Sequence, residues 1–165
     1  MSWPRWKAFE KEVAVFFGGL RAVRIDYAES IGDVIHDRLA IECKYGNQVP
    51  SYVKVDVLTV YEHETNLYVA CPASKMEGGR YVISGITYKI LKRALFLERG
   101  LQQASGYAEN KGKIPVLCCK PQRFNSFVVV CKLRDFFHLC PKPRPSDERK
   151  IETLIVERPL KFSRL

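Results

Sequence analysis

No run of apolar residues in this sequence is long enough to span a bilayer, so no membrane is expected among its partners. The first residues, Met1-Ser2-Trp3-Pro4-Arg5-Trp6-Lys7, lack the apolar stretch of a signal peptide, which predicts a cytoplasmic protein. Histidine is scarce. His36, His63 and His138 are scattered without H-x3-H spacing, so each is expected to be structural rather than a metal ligand or general base. The six cysteines, Cys43, Cys71, Cys118, Cys119, Cys131 and Cys140, include no C-x-x-C pair. That spacing suits neither a disulfide framework nor a zinc site, and most are expected as buried, reduced thiols. Internal repeats are absent too.

What is present is a chain of 165 residues, 47% hydrophobic and 27% charged, the size and composition of one globular domain over residues 1–165. Its net charge of +9 is unevenly placed. Residues 1–50 carry seven basic and seven acidic side chains, 51–85 three and four, and 86–165 seventeen and seven. A basic second half suits a polyanionic partner.

The chain opens with a predicted helix, capped by Ser2 with Pro4 in its first turn. Its apolar stripe is Trp6, Phe9, Val13, Phe16 and Phe17, with Trp6 expected mainly in the core, and Gly18-Gly19 ends it. Glu10 lies next to that stripe and Glu12 opposite, as a solvated charge. A strand is predicted over 20–27. Residues 51–85 read as an insertion on the main sheet, with Leu67–Cys71 and Arg80–Ser84 as candidate hairpin partners. Helical spacing runs from Thr87 to about Ala108, and Gly100 weakens or breaks it. Ile114–Cys119 and Phe127–Cys131 are apolar enough for strands buried on both faces. Leu133–Leu139 fits a short helix, and residues 141–165 form a basic C-terminal extension.

Within this frame, Asp33 is followed by eight residues, then Glu42, with Lys44 two positions further on. Side chains alternate along a strand, so Glu42 and Lys44 share a face while Ile41 and Cys43 face a core. A turn at Asp37-Arg38 returns Asp33 to the side of Glu42. Two hard oxygen ligands beside an ammonium are what a divalent-metal phosphodiesterase needs, and Glu10 would supply a third acidic group. Against this stands an ordinary solvated hairpin, since charged pairs on strands are common. Arg5, Lys7, Arg21, Arg24, Lys111, Lys113, Lys120 and Arg123 are candidate phosphate contacts.

The order of these features resembles the PD-(D/E)XK nuclease superfamily and, within it, the archaeal-type Holliday junction resolvases, including those carried by phages. Phe9-Glu10-Lys11-Glu12-Val13 resembles the family's first helix, and Ala22-Val23-Arg24-Ile25 with Ser30 its first strand and serine-bearing loop. Ile41-Glu42-Cys43-Lys44 is similar to the central motif, and Gln103-Ala104 with Lys113-Ile114-Pro115-Val116-Leu117 to the glutamine helix and following strand. Gly32 stands where the family usually has Pro, and residues 48–95 are longer than the family connection. The likeness implies a restriction-endonuclease-like α/β fold, a central mixed sheet flanked by helices, with an insertion over 48–86. It implies that Glu10, Asp33 and Glu42 bind one or two Mg²⁺ ions, with Mn²⁺ able to substitute. Lys44 would orient the attacking water or stabilise the transition state, Ser30 would contact the scissile region, and Gln103 or Gln102 would reach the site. The implied activity is endonucleolytic resolution of four-way DNA junctions by paired nicks from a homodimer, in the host cytoplasm if phage-encoded. Two other readings stay open: a repair or restriction-type nuclease of the same superfamily, and a non-catalytic DNA-binding module on that scaffold.

Overall fold

The structure, a computed structural model, describes residues 4–23, 32–54, 58–63, 66–73, 88–91 and 94–139. Helix α1 (Arg5–Phe17) forms where apolar residues recur at helical spacing, and Gly18 in left-handed conformation ends it. Pro4 directly precedes the helix, so the predicted start at Ser2 is too early; proline's fixed φ suits the entry better than its interior. Phe9, Val13 and Ala14 are buried, but Trp6 is 48% exposed and not a core residue. It sits one turn ahead of Glu10 on the rim of an open cleft rather than over the sheet.

Two short strands follow, β1 (Leu20–Arg21) and β2 (Val34–Ile35), paired antiparallel with Leu20 opposite Ile35. The strand predicted over 20–27 is therefore much shorter within the described residues. Ser30 and Arg24 lie outside them. β2 pairs with β3 (Leu39–Gly46) through Val34 and Ile41. His36 holds the turn between them. Its Nδ1 accepts the backbone N–H groups of Arg38 and Leu39 at 3.0 and 3.2 Å, and its Nε2 donates to the Phe17 carbonyl at 3.1 Å. The histidine is structural, as its isolation in the sequence suggests.

After a 3₁₀ turn at Ser51–Val53 come β4 (Leu58–His63), β5 (Asn66–Pro72) and β6 (Tyr88–Leu91). Helix α2 (Leu95–Ala108), β7 (Ile114–Pro121), β8 (Val128–Lys132) and α3 (Leu133–Leu139) complete the order. The strands of the described residues join one mixed eight-stranded sheet in the order β1-β2-β3-β7-β8-β5-β4-β6. The parallel β3–β7 pair, from Leu39 beside Ile114 to Gly46 beside Pro121, lies inside it.

Two expectations need correcting. Tyr88–Leu91 is a strand parallel to β4 and not the first turn of a helix. Ile90 and Leu91 fit either period, and tertiary pairing overrides local spacing. Leu67–Cys71 is an inner strand flanked by β4 and β8 rather than half of a separate hairpin, and its candidate partner at 80–84 lies outside the described residues. The segment after β3 thus widens the main sheet.

Each face of the sheet has its own core. Phe9 and Val13 of α1 pack on Ile41, Val116, Cys118 and Val129. Leu97, Leu101 and Ala104 of α2 pack on Leu117, Cys119, Val128 and Val130. The odd–even split along β7 and β8 is the alternation of a strand buried on both faces, and each fully buried Val, Leu or Phe contributes about 1.5–3 kcal/mol. Gly100 neither breaks nor ends α2. A Cβ there would stand 2.7 Å from Leu117 Cδ2, so its absence lets the helix lie close on β7. The five cysteines among the described residues are free thiols, three of them buried. No helix among the described residues is long and apolar enough to cross a membrane.

Candidate active site

The alternation along β3 sends Ile41 and Cys43 towards α1, and Glu42 and Lys44 towards α2. Opposite Ile41, the β2 ladder stops. The Asp33 N–H donates to the Ile41 carbonyl at 2.9 Å, and past that point the Cys43 N–H donates to Asp33 Oδ2 at 2.7 Å instead of to a strand. The aspartate side chain thus replaces a ladder bond and is held against β3. The fork left beside it lets a carboxylate from the α1 face and one from the α2 face approach round the same edge.

Gly32 sets this geometry. Its φ is +76°, and a Cβ there would lie 2.6 Å from the Ile41 carbonyl oxygen and 3.2 Å from Tyr107 Cδ2. Proline, with φ fixed near −65°, is excluded by this backbone. The glycine is a different local solution for placing Asp33.

Glu10, Asp33 and Glu42 line one open cleft of about 550 Å³, with Arg5, Trp6, Tyr45 and Gln122 among its other walls. Glu42 is 3% exposed. Burial, and then the charge of Asp33, raise its pKa above the ordinary carboxylate value, against the pull of Lys44. Glu10 is raised as well, first by burial; Arg21 pulls it back down and the Asp33 charge pushes it up. The Cys43 thiol, pushed well up mainly by burial, also feels all three carboxylates. The charge of Asp33 thus acts on both glutamates from between them, at an energetic cost.

Lys44 Nζ donates to Glu42 Oε1 at 2.6 Å and to Gln103 Oε1 at 3.0 Å. Gln103 Nε2 donates in turn to the Tyr107 hydroxyl at 2.9 Å. Of the two neighbouring glutamines, Gln103 is the one bonded to Lys44. Tyr107, absent from the sequence prediction, stands close to Glu42; burial first, and then the Glu42 charge, raise the pKa of its hydroxyl against the pull of the Gln103 hydrogen bond. The signal for it was its place four residues after Gln103, on the same helix face. Glu42 Oε2 is buried with no hydrogen-bond partner.

As the side chains stand, no three His, Cys, Asp or Glu groups among the described residues are gathered closely enough to hold a metal ion. Glu10 is turned to Arg21, whose Nε donates to its Oε2 at 2.7 Å. The arginine, expected to meet phosphate, is engaged by the carboxylate expected to meet metal.

The remaining basic candidates divide by position. Arg5 lines the cleft, Lys7 Nζ and Arg21 Cζ lie over the Trp6 ring, and Arg123 follows the cleft residue Gln122. Lys120 is paired at 2.7 Å with Glu12, which is therefore not simply a solvated charge. Lys113 donates to the His36 carbonyl at 2.7 Å, at the opposite end of β7 from Gln122, and Lys111 lies beyond it. These two are not brought to the cleft.

Comparison with protein-family models, curated proteins and solved structures finds no match to this chain, so the site is read from its own chemistry.

Proposed function

We propose that the protein is a divalent-metal-dependent endonuclease with a restriction-endonuclease-like core, and that its substrate is four-way DNA junctions, resolved by paired nicks. The observation that carries this is the convergence of Glu10, Asp33 and Glu42 on one cleft, with Lys44 bonded to Glu42. Asp33 raises the pKa of both Glu10 and Glu42, and such a group of carboxylates is a poor surface for a polyanion unless a cation joins it.

The fit to a small hard cation rests on the donors. All three are carboxylates, and Glu42 Oε2 is buried without a partner, an arrangement that costs stability in the absence of a ligand. Asp33 and Glu42 would hold Mg²⁺ or Mn²⁺, and Glu10 would join them once released from Arg21. When bound, the ion supplies a Lewis acid that lowers the pKa of a water and offsets phosphate charge. Lys44, steadied by Gln103, places an ammonium where it orients a water or meets charge developing on the phosphate. Arg21, freed from Glu10, gives the phosphate a fork of donors. Gln103 and Tyr107 act through Lys44 and are positioning residues.

Paired nicks on opposite strands need two sites related by a two-fold axis, hence a homodimer. Leu20 on β1, Val23 just after it and Ile35 on the neighbouring β2 are exposed and give a second copy an apolar surface to meet. The excess positive charge favours backbone contacts over base reading.

The test uses purified protein with Mg²⁺, an immobile four-way junction and matched linear duplexes. Selective paired nicking is expected, abolished by Asp33→Asn or Glu42→Gln while junction binding persists or tightens. Equal cutting of both substrates refutes junction selectivity; no metal-dependent cutting at all refutes the nuclease.

A further inference from the structure

Trp6 does not behave as the core residue its helical spacing suggests. It is 48% exposed, one turn before Glu10, and lines the same cleft as the three carboxylates. Lys7 Nζ lies 5.2 Å and Arg21 Cζ 5.8 Å from the centroid of its ring. Arg5 shares the wall, and Asn47, Gln48 and Gln122 stand around the cleft. An indole face, one cation and three side-chain amides thus line one opening, with two more cations over the indole, and its volume, about 550 Å³, is that of a small-ligand pocket.

Each component matches one part of a nucleotide. The ring offers a π face on which any base stacks, the cations meet its phosphates, and the amides can bond base edges. A base still paired within a duplex is stacked on its neighbours and does not present its face to the indole. We propose that Trp6 is a stacking platform for one unpaired DNA base beside the phosphate to be cut. The substrate class is then DNA with an unstacked nucleotide at the cleavage point, such as occurs at a branch. The two cations over the ring are its occupants without DNA, and phosphate draws them off as the base arrives, Arg21 leaving Glu10 in the same movement.

This inference takes the location of the cut from the nuclease reading, but its test needs no cleavage. The chain has two tryptophans, so Trp3→Phe leaves Trp6 as the sole indole reporter. In chelator, oligo-thymidine and a blunt duplex of the same length are titrated into this protein and into versions carrying Trp6→Ala or Trp6→Phe. Circular dichroism checks that each variant is folded. Oligo-thymidine is expected to quench Trp6 fluorescence. Trp6→Ala is expected to weaken its binding roughly 5- to 150-fold and duplex binding less than about twofold, with Trp6→Phe retaining most of the affinity. Saturable binding without quenching, equal loss on both DNAs, or no binding of unpaired DNA overturns the proposal. Mg²⁺-dependent cleavage is scored separately. Stacking without cleavage upholds this inference while the nuclease reading fails; cleavage with Trp6→Ala binding unchanged does the reverse.

Discussion

Replacing Gly32 by alanine tests whether the backbone at the sheet fork sets the site. Two costs add there. A non-glycine residue at φ +76° costs on the order of 1–2 kcal/mol. The new Cβ would also meet the Ile41 carbonyl oxygen at 2.6 Å, a backbone atom that cannot swing aside, and such overpacking costs about 1–3 kcal/mol more. Gly46 is the control. Its φ is also +76°, but nothing lies within 4 Å of a Cβ there, so Gly46→Ala carries only the first cost. Urea unfolding followed by circular dichroism should place Gly32→Ala about 2–5 kcal/mol below wild type and Gly46→Ala about 1–2 below. For a chain of this size each kcal/mol is roughly 2–4 °C in Tm. The Ile41 carbonyl accepts the Asp33 N–H at 2.9 Å, so the displacement that relieves the clash also detaches Asp33 from β3. Metal-dependent cleavage should fall further than the stability loss explains. Equal destabilisation of the two variants, or less than about 0.5 kcal/mol for Gly32→Ala, would show that the close approach to Ile41 does not constrain the fork.

Two further outcomes follow from the carboxylates and from α2. In chelator, the raised pKa of Glu10 and Glu42 means that the folded state holds protons which the unfolded chain has released above its ordinary value of 4.5. Their contribution is therefore most favourable below that value and is lost as pH rises through the folded values. The Tm difference between Glu10→Gln/Glu42→Gln and wild type should move in the variant's favour over that window; a pH-independent difference contradicts the assigned shifts. Gln103→Ala should lower kcat roughly 10- to 100-fold by freeing Lys44, whereas Gln102→Ala should leave it unchanged. Similar effects of the two on junction cleavage would remove Gln103 from the site.

Much of the frame was legible because burial on two faces leaves a direct mark on a strand. Ile114–Cys119 and Phe127–Cys131 read as core strands from composition alone; β7 covers the first, and β8 covers the second from Val128 on. The Glu42–Lys44 pairing followed from strand alternation, and the return of Asp33 from a two-residue turn. Where two periods fit equally, as at Ile90-Leu91, the local pattern misled, because its partners Val60 and Tyr61 on β4 lie thirty residues away in the chain. Trp6 misled for a related reason. Helical spacing shows which side of α1 a residue is on but not where the sheet beneath it ends.

The sequence by itself determined the inner strands β3, β7 and β8, the two-faced core they carry, and the shared face of Glu42 and Lys44, since each depends on residues near one another in the chain. Only the tertiary structure decided which groups those side chains meet. It set Gln103 beside Lys44 and Tyr107 near Glu42, turned Arg21 to Glu10, paired Lys120 with Glu12 and left Trp6 at the mouth of the cleft. Those contacts join elements 11 to 108 residues apart. Packing of helices against opposite faces of the sheet fixes them, and no local periodicity encodes that packing.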